Sequence, residues 1–182
     1  SYRDLSEEIK SSWNVKPDDV LYDTKLGDLI RIFSFLLKGK VNEVNKNIEI
    51  LLKINDPYEI LDKKSENGRR LFEAAEKVKK QYLDLLKKAL DEGKKSKGRV
   101  LAFTYLSDKI SLTSELANEL IHRNPGRVIA VARIKDEQMR VSLRSSVNDV
   151  ELPGILDKIF NEMKGSGGGH EHAVAVEIHR DD

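Results

Sequence analysis

Cysteine is absent from the 182 residues. That excludes a disulfide framework, a thiolate zinc site and a thiol nucleophile. Methionine occurs twice, tryptophan once and proline four times. No apolar run reaches the roughly 18–20 residues that span a bilayer, and the start does not read as a signal peptide. A soluble, cytoplasmic chain with no membrane partner is therefore expected. Neither sign of charge dominates: 32 basic side chains stand against 31 acidic ones, for a net charge of +1. Residues 1–98 carry 21 basic and 18 acidic groups, and residues 99–182 carry 11 and 13. Bulk charge does not announce a polyanion binder, so any such site must be a local patch. Common catalytic signatures are missing too. There is no Walker loop, no Gly-x-Ser-x-Gly, no His-Glu-x-x-His and no EF-hand loop.

What is present is a charged fraction of 35%, which is high, and a hydrophobic fraction of 39%, which is ordinary. Lysine and glutamate without cysteine fit a thermophilic source. The length suits one or two domains with a real core. The chain begins at Ser1 rather than at a methionine, which fits a piece of a longer polypeptide.

The first half reads as helices. Residues 1–12 can form a short one, and Trp13 to Thr24, with Pro17 and several aspartates, reads as a loop. Leu26, Leu29, Ile30, Phe33, Leu36 and Leu37 recur at helical spacing, with Asp23 or Thr24 as N-cap and Gly39 as stop. A second helix over 41–54 places Val44, Ile48, Leu51 and Leu52 on one face. Asn55-Asp56-Pro57 breaks it and starts a third, short helix. The longest periodic run covers about 66–93, with Leu71, Phe72, Ala75, Val78, Tyr82, Leu85, Leu86 and Ala89 in one stripe. Glu73–Lys77 and Glu76–Lys80 are the expected i,i+4 pairs. Lys94-Lys95-Ser96-Lys97-Gly98 ends it. That run reads as a solvated complement to the helix dipole, with a phosphate contact as the alternative.

At Arg99 the pattern changes. Residues 100–105 form a nearly continuous apolar run, expected of a strand buried on both faces. Ser111 or Thr113 caps a helix to about His122. Val128 to Ile134 and Met139 to Arg144 read as a strand pair turned at Asp136-Glu137. A helix over about 155–163 leads into Gly165-Ser166-Gly167-Gly168-Gly169-His170, and Ala173 to Ile178 is the last strand. The expected fold class is α/β. A helical half over 1–97, with a long connector helix, precedes a small α/β domain with a mixed sheet over 98–182.

The glycine run is the feature around which function is organised. It lets a ligand approach the backbone closely, and successive free N–H groups can form an anion-binding concavity. A plain hairpin loop and a linker remnant are the plainer readings. His170 and His172 flank Glu171, but an i,i+2 pair with only His122 and His179 besides is too sparse for a metal site built by this chain. Asp181 and Asp182 lie at a terminus. An anion site remains. Arg144 offers a planar fork for phosphate, Ser145 a hydroxyl, and Gly167, Gly168 and Gly169 backbone donors.

Gly167-Gly168-Gly169-His170 followed by Ala173 and Ala175, with Val141-Ser142-Leu143-Arg144-Ser145 upstream, resembles the C-terminal DHH-associated domain of the DHH phosphoesterase superfamily. RecJ single-strand exonucleases, nanoRNases and archaeal RecJ-like proteins belong to it. Ala175 stands where the family often has glycine. Residues 38–40, Leu51-Leu52, Asn55-Asp56-Pro57 and the long helix resemble the RecJ connector. The resemblance implies that Arg144, Ser145, the glycines and His170 hold phosphates of single-stranded DNA or RNA. It implies hydrolysis with manganese or magnesium on a DHH domain that this chain does not contain, so no catalytic residue and no metal is assigned here. It also leaves open a replisome module that binds GINS or MCM, and half of a short-oligonucleotide or cyclic-dinucleotide phosphodiesterase.

Overall fold

The computed structural model describes residues 7, 10–11, 16–107 and 110–179. The helix expected over 1–12 and the acidic terminus fall largely outside these. The chain divides into two compact units, residues 1–81 and 82–182.

The first unit is helical. Helix α1 (Pro17–Asp23) replaces the loop expected there. Pro17 sits in its first turn, where an N–H would be unpaired anyway and the fixed φ suits a helix. Helix α2 (Lys25–Leu36) is capped by Thr24, whose Oγ1 accepts from the Gly27 N–H at 3.1 Å. Gly39 ends that turn with φ +121°. Helix α3 (Val41–Leu51) is shorter than expected and buries none of its residues; Val41, Ile48 and Leu52 are exposed. Helix α4 (Tyr58–Leu61) follows Pro57. Helix α5 (Glu66–Lys95) is the long connector expected from periodicity, and it runs from the first unit into the second. Its surface pairing differs from the expected register. Arg69 takes Glu73 at 2.8 Å, and Lys79 takes Glu76 at 3.1 Å.

The second unit is a mixed sheet of five strands. They are β1 (Val100–Leu106), β2 (Val128–Lys135), β3 (Gln138–Ser145), β4 (Gly165–His170) and β5 (Ala173–His179). Helix α6 (Thr113–Arg123) joins β1 to β2, and α7 (Leu152–Glu162) precedes β4. The order across the sheet is β1-β2-β3-β5-β4. Only β1 and β2 run parallel; the other neighbours are antiparallel. Strand β1 is not buried on both faces. Leu101, Phe103 and Tyr105 are buried while Val100, Ala102, Thr104 and Leu106 are exposed, because this edge is covered on one side only. The glycine run is not a loop. It is the edge strand β4, paired throughout with β5.

Side chains alternate across the sheet, so the register sorts them into two faces. Helix α6 covers one face over β2 and β3. There Ser142 Oγ donates to Thr113 Oγ1 at 3.0 Å. Helix α7 covers the opposite face over β3, β5 and β4. Its Leu152 and Leu156 form a core with Val174, Val176 and Ile178. The α6 face is therefore open over β5 and β4. Among the described residues no helix is long and apolar enough to cross a membrane.

Candidate functional site

The open part of the α6 face is bordered and floored by three rows of register partners. Arg144, Ala173 and His170 form the first. Ser142, Ala175 and Gly168 form the second. Arg140, Glu177 and Ser166 form the third. Small residues therefore floor the area beside β3. On β5 the large residues Val174, Val176 and Ile178 turn to the α7 core and the alanines turn outward. Arg140 Nε donates to Glu177 Oε2 at 2.8 Å and closes the third row as an ion pair.

Arg144 is fixed rather than free-swinging. Its Nε donates to Asn118 Oδ1 at 2.7 Å, and Nη1 donates to the Leu143 carbonyl at 2.8 Å and the Val174 carbonyl at 3.4 Å. No carboxylate pairs with it and Nη2 is unengaged among the described residues. Burial lowers its pKa from the ordinary arginine range, and the negative charge of Glu115 partly opposes that. A guanidinium in this range stays charged at neutral pH. The structure thus holds a half-buried, oriented cation with one face unpaired.

The glycines divide by function. Ser145 N donates to the His172 carbonyl at 3.0 Å, so Val174, Val176 and Ile178 exchange ladder bonds with β3. Ala173, Ala175 and Glu177 then exchange theirs with His170, Gly168 and Ser166. The ladder consumes the Gly168 N–H, which was an expected anion donor. The N–H groups of Gly167 and Gly169 point out of the sheet edge instead. A Cβ on Gly168 meets nothing within 4 Å, whereas one on Gly167 would lie 2.4 Å from the Ala175 carbonyl. On Gly169 it would lie 2.1 Å from the Ala173 carbonyl. Gly168 therefore opens the face, and its neighbours permit the close edge pairing.

Ser145 lies across the sheet from Arg144. It is buried, and its Oγ accepts from the Val147 N–H at 3.1 Å. The structure does not bring this hydroxyl to the face that carries Arg144; it shapes the turn after β3. His170 is exposed on the same row as Arg144. Asn118, Ser142 and Arg140 were missed. The alternation 140-142-144 on β3 carried the signal for two of them, and Asn118, four residues after Ser114 on α6, had no sequence signal. For a divalent ion this face offers the His170 imidazole and the Glu177 carboxylate, which Arg140 already engages. That donor set does not fit a magnesium or manganese site.

A family model described as the DHHA1 domain matches residues 100–182. Among solved structures, RecJ in complex with Mg2+ from Thermus thermophilus aligns at TM-score 0.58 and 13% identity, over 97% of this chain and 26% of that one. An exonuclease RecJ bound to manganese aligns at 0.56 and 13%, over 97% of this chain and 41% of that one. The pGpG-specific phosphodiesterase PggH from Vibrio cholerae aligns at 0.55 and 12%, over 100% of this chain and 62% of that one. This chain thus spans between 26% and 62% of the length of these three structures. At such identities the likeness is one of fold. No curated protein matches the chain.

Proposed function

From the premise that residues 100–182 form a RecJ-like DHHA1 domain of the DHH superfamily, we propose that the chain holds the terminal phosphates of a single-stranded nucleic acid. One observation carries this reading: Arg144, His170 and Gly168 share one open face, with the guanidinium pre-set by Asn118 and its Nη2 unengaged. A phosphate laid there receives the Nη2 donor and a donor from the His170 imidazole. The outward N–H groups of Gly167 and Gly169 meet it at the strand edge. The face supplies binding and orientation. Hydrolysis belongs to a metal-bearing domain beyond this chain, in keeping with the Mg2+ and manganese named for the RecJ structures.

Fluorescence anisotropy with a labelled single-stranded dodecamer tests the reading. Arg144→Ala removes a charge-assisted contact of about 1.5–3 kcal/mol, roughly a 10- to 150-fold loss of affinity. The slope of log affinity against log salt falls by about 0.7 for the lost phosphate contact. An unchanged titration would sink the proposal. Incubation with manganese tests the division of labour: the chain alone leaves the oligonucleotide intact, and robust turnover would overturn that part.

A second reading narrows the ligand to very short oligonucleotides. It is favoured by the alignment to PggH, which runs over the whole of this chain. Competition separates the two, because a dinucleotide displaces the dodecamer stoichiometrically only if the terminal phosphates carry nearly all the affinity.

A further inference from the structure

The basic turn between α5 and β1 has no part in the face described above. Lys94 and Lys95 close α5, and Lys97 and Arg99 follow before β1; all four are exposed. Lys94 pairs with Asp91 at 2.9 Å and Arg99 with Asp149 at 2.6 Å. Lys95 and Lys97 make no ion pair among the described residues. A helix terminus is adequately complemented by one or two cations in its last turn, so the unpaired lysine at position 97 exceeds that need.

The ladder places this turn. Val100 is in register with Val128, and Val128 with Ser145. Arg144 is in register with Ala173, and Ala173 with His170. The starts of β1 and β2, the end of β3 and the β4–β5 turn therefore lie at one end of the sheet. Hydrogen bonds stitch them together. Arg127 donates to the Gly93 carbonyl at 3.1 Å and to the Ser96 carbonyl. Ser146 N donates to the Arg127 carbonyl at 3.3 Å, and Ser145 N to the His172 carbonyl at 3.0 Å. Four strand spacings of about 4.8 Å make this rim roughly 19 Å wide. Charge is uneven along it. Lys95, Lys97 and Arg127, which meets only carbonyls, lie toward β1 and β2, where Asp91 and Asp149 are taken up by Lys94 and Arg99. Glu151 and Glu171 lie toward the β4–β5 turn.

We infer that this rim is a track for the successive phosphates of a nucleic-acid strand that leaves Arg144 toward Lys97 and Lys95. The inference rests on the phosphate reading of the Arg144 face and adds the direction and length of the bound strand. A strand leaving the other way would cross Glu171 and Glu151. Arg127 is a positioning residue, since its two carbonyl contacts fix the lysine turn against the start of β2.

The test is salt-dependent anisotropy of the full chain with a 5′-phosphorylated dinucleotide and a dodecamer of the same composition. K95Q/K97Q is expected to weaken the dodecamer at least fivefold in low salt. Its salt slope falls by about 1.4, two contacts at about 0.7 each, and dinucleotide binding is unchanged. Arg144→Ala weakens both ligands. The track is overturned if K95Q/K97Q leaves the dodecamer slope intact, or weakens the dinucleotide as much as the dodecamer. If Arg144→Ala changes neither ligand while K95Q/K97Q behaves as expected, the terminal-phosphate reading fails and the lysine contact stands alone. If the unaltered chain binds neither, both fall.

Discussion

The three glycines of β4 differ in what a methyl group would meet, and that difference is measurable. Gly168→Ala points into open space on the face that carries Arg144. It should leave the unfolding midpoint within about 0.5 kcal/mol of the parent, as surface changes do, while reducing oligonucleotide binding. Gly167→Ala and Gly169→Ala each drive a Cβ into the β5 backbone, and Gly169 also has φ +157°. Overpacking of this kind costs about 1–3 kcal/mol, readable in urea titrations. Equal stability losses at all three positions would overturn the division. Tyr105 gives a pH-dependent test. Its hydroxyl accepts from the Leu112 N–H at 2.8 Å at the start of α6, and burial above all raises its pKa. A raised folded-state value gives stability that is complete below the unfolded pKa near 10 and is lost as pH rises through the folded one. Between pH 9 and 11 the parent should therefore lose more stability than Tyr105→Phe, measured as the change in Tm. Identical pH profiles would contradict the burial of this phenol.

At the scale of elements, one buried carboxylate joins α5 to α6 within the second unit. Glu119 is 2% exposed, accepts from the Tyr82 hydroxyl and takes Arg123 Nε at 2.8 Å. Glu119→Ala removes the carboxylate that accepts from the buried Tyr82 hydroxyl and should cost about 1–3 kcal/mol of stability, more than Arg123→Ala, whose side chain is half-exposed. Denaturant midpoints of the two variants check the order. The helices were legible because their apolar residues recur with one period over long stretches, as in α5. The burial of α3 was not, because an apolar face at Val44, Ile48 and Leu51 shows what a helix offers and not what covers it. The continuous apolar run of β1 misled in the same way: it sits at an edge, where only Leu101, Phe103 and Tyr105 turn inward. Glycines at 165, 167, 168 and 169 argue for a loop on local propensity. Pairing of the whole of β4 with β5 overrides that, because the missing side chains let the edge strand approach its neighbour closely. Arg144 and His170 could be picked out from residue type and position. Asn118 could not, since its value lies in a contact across 26 positions of sequence.

For the molecule as a whole, the boundary between the two units falls inside α5, between Gln81 and Tyr82. The second unit holds a core on each face of its sheet: Leu101, Ile129, Val131, Leu116 and Leu120 on one, and Leu152, Leu156, Val174, Val176 and Ile178 on the other. It also contains Tyr82, the partner of Glu119 at its own N-terminal end. The whole open face around Arg144 and the whole basic rim belong to it, and the proposed phosphate contacts with them. A polypeptide of residues 82–182 should therefore unfold in one cooperative transition and bind the dodecamer within about threefold of the full chain, a change below about 0.7 kcal/mol. Residues 1–81 by themselves leave Val41 and Ile48 of α3, and Leu52 just after it, in water and should be the less stable piece, with no salt-dependent binding of their own. Circular dichroism melts and anisotropy on the two pieces decide it. A molten 82–182 piece would mean that the sheet needs the preceding helices to fold. A folded piece with lost affinity would mean that the first unit supplies contacts to the nucleic acid that the Arg144 face and the Lys95–Lys97 rim do not account for.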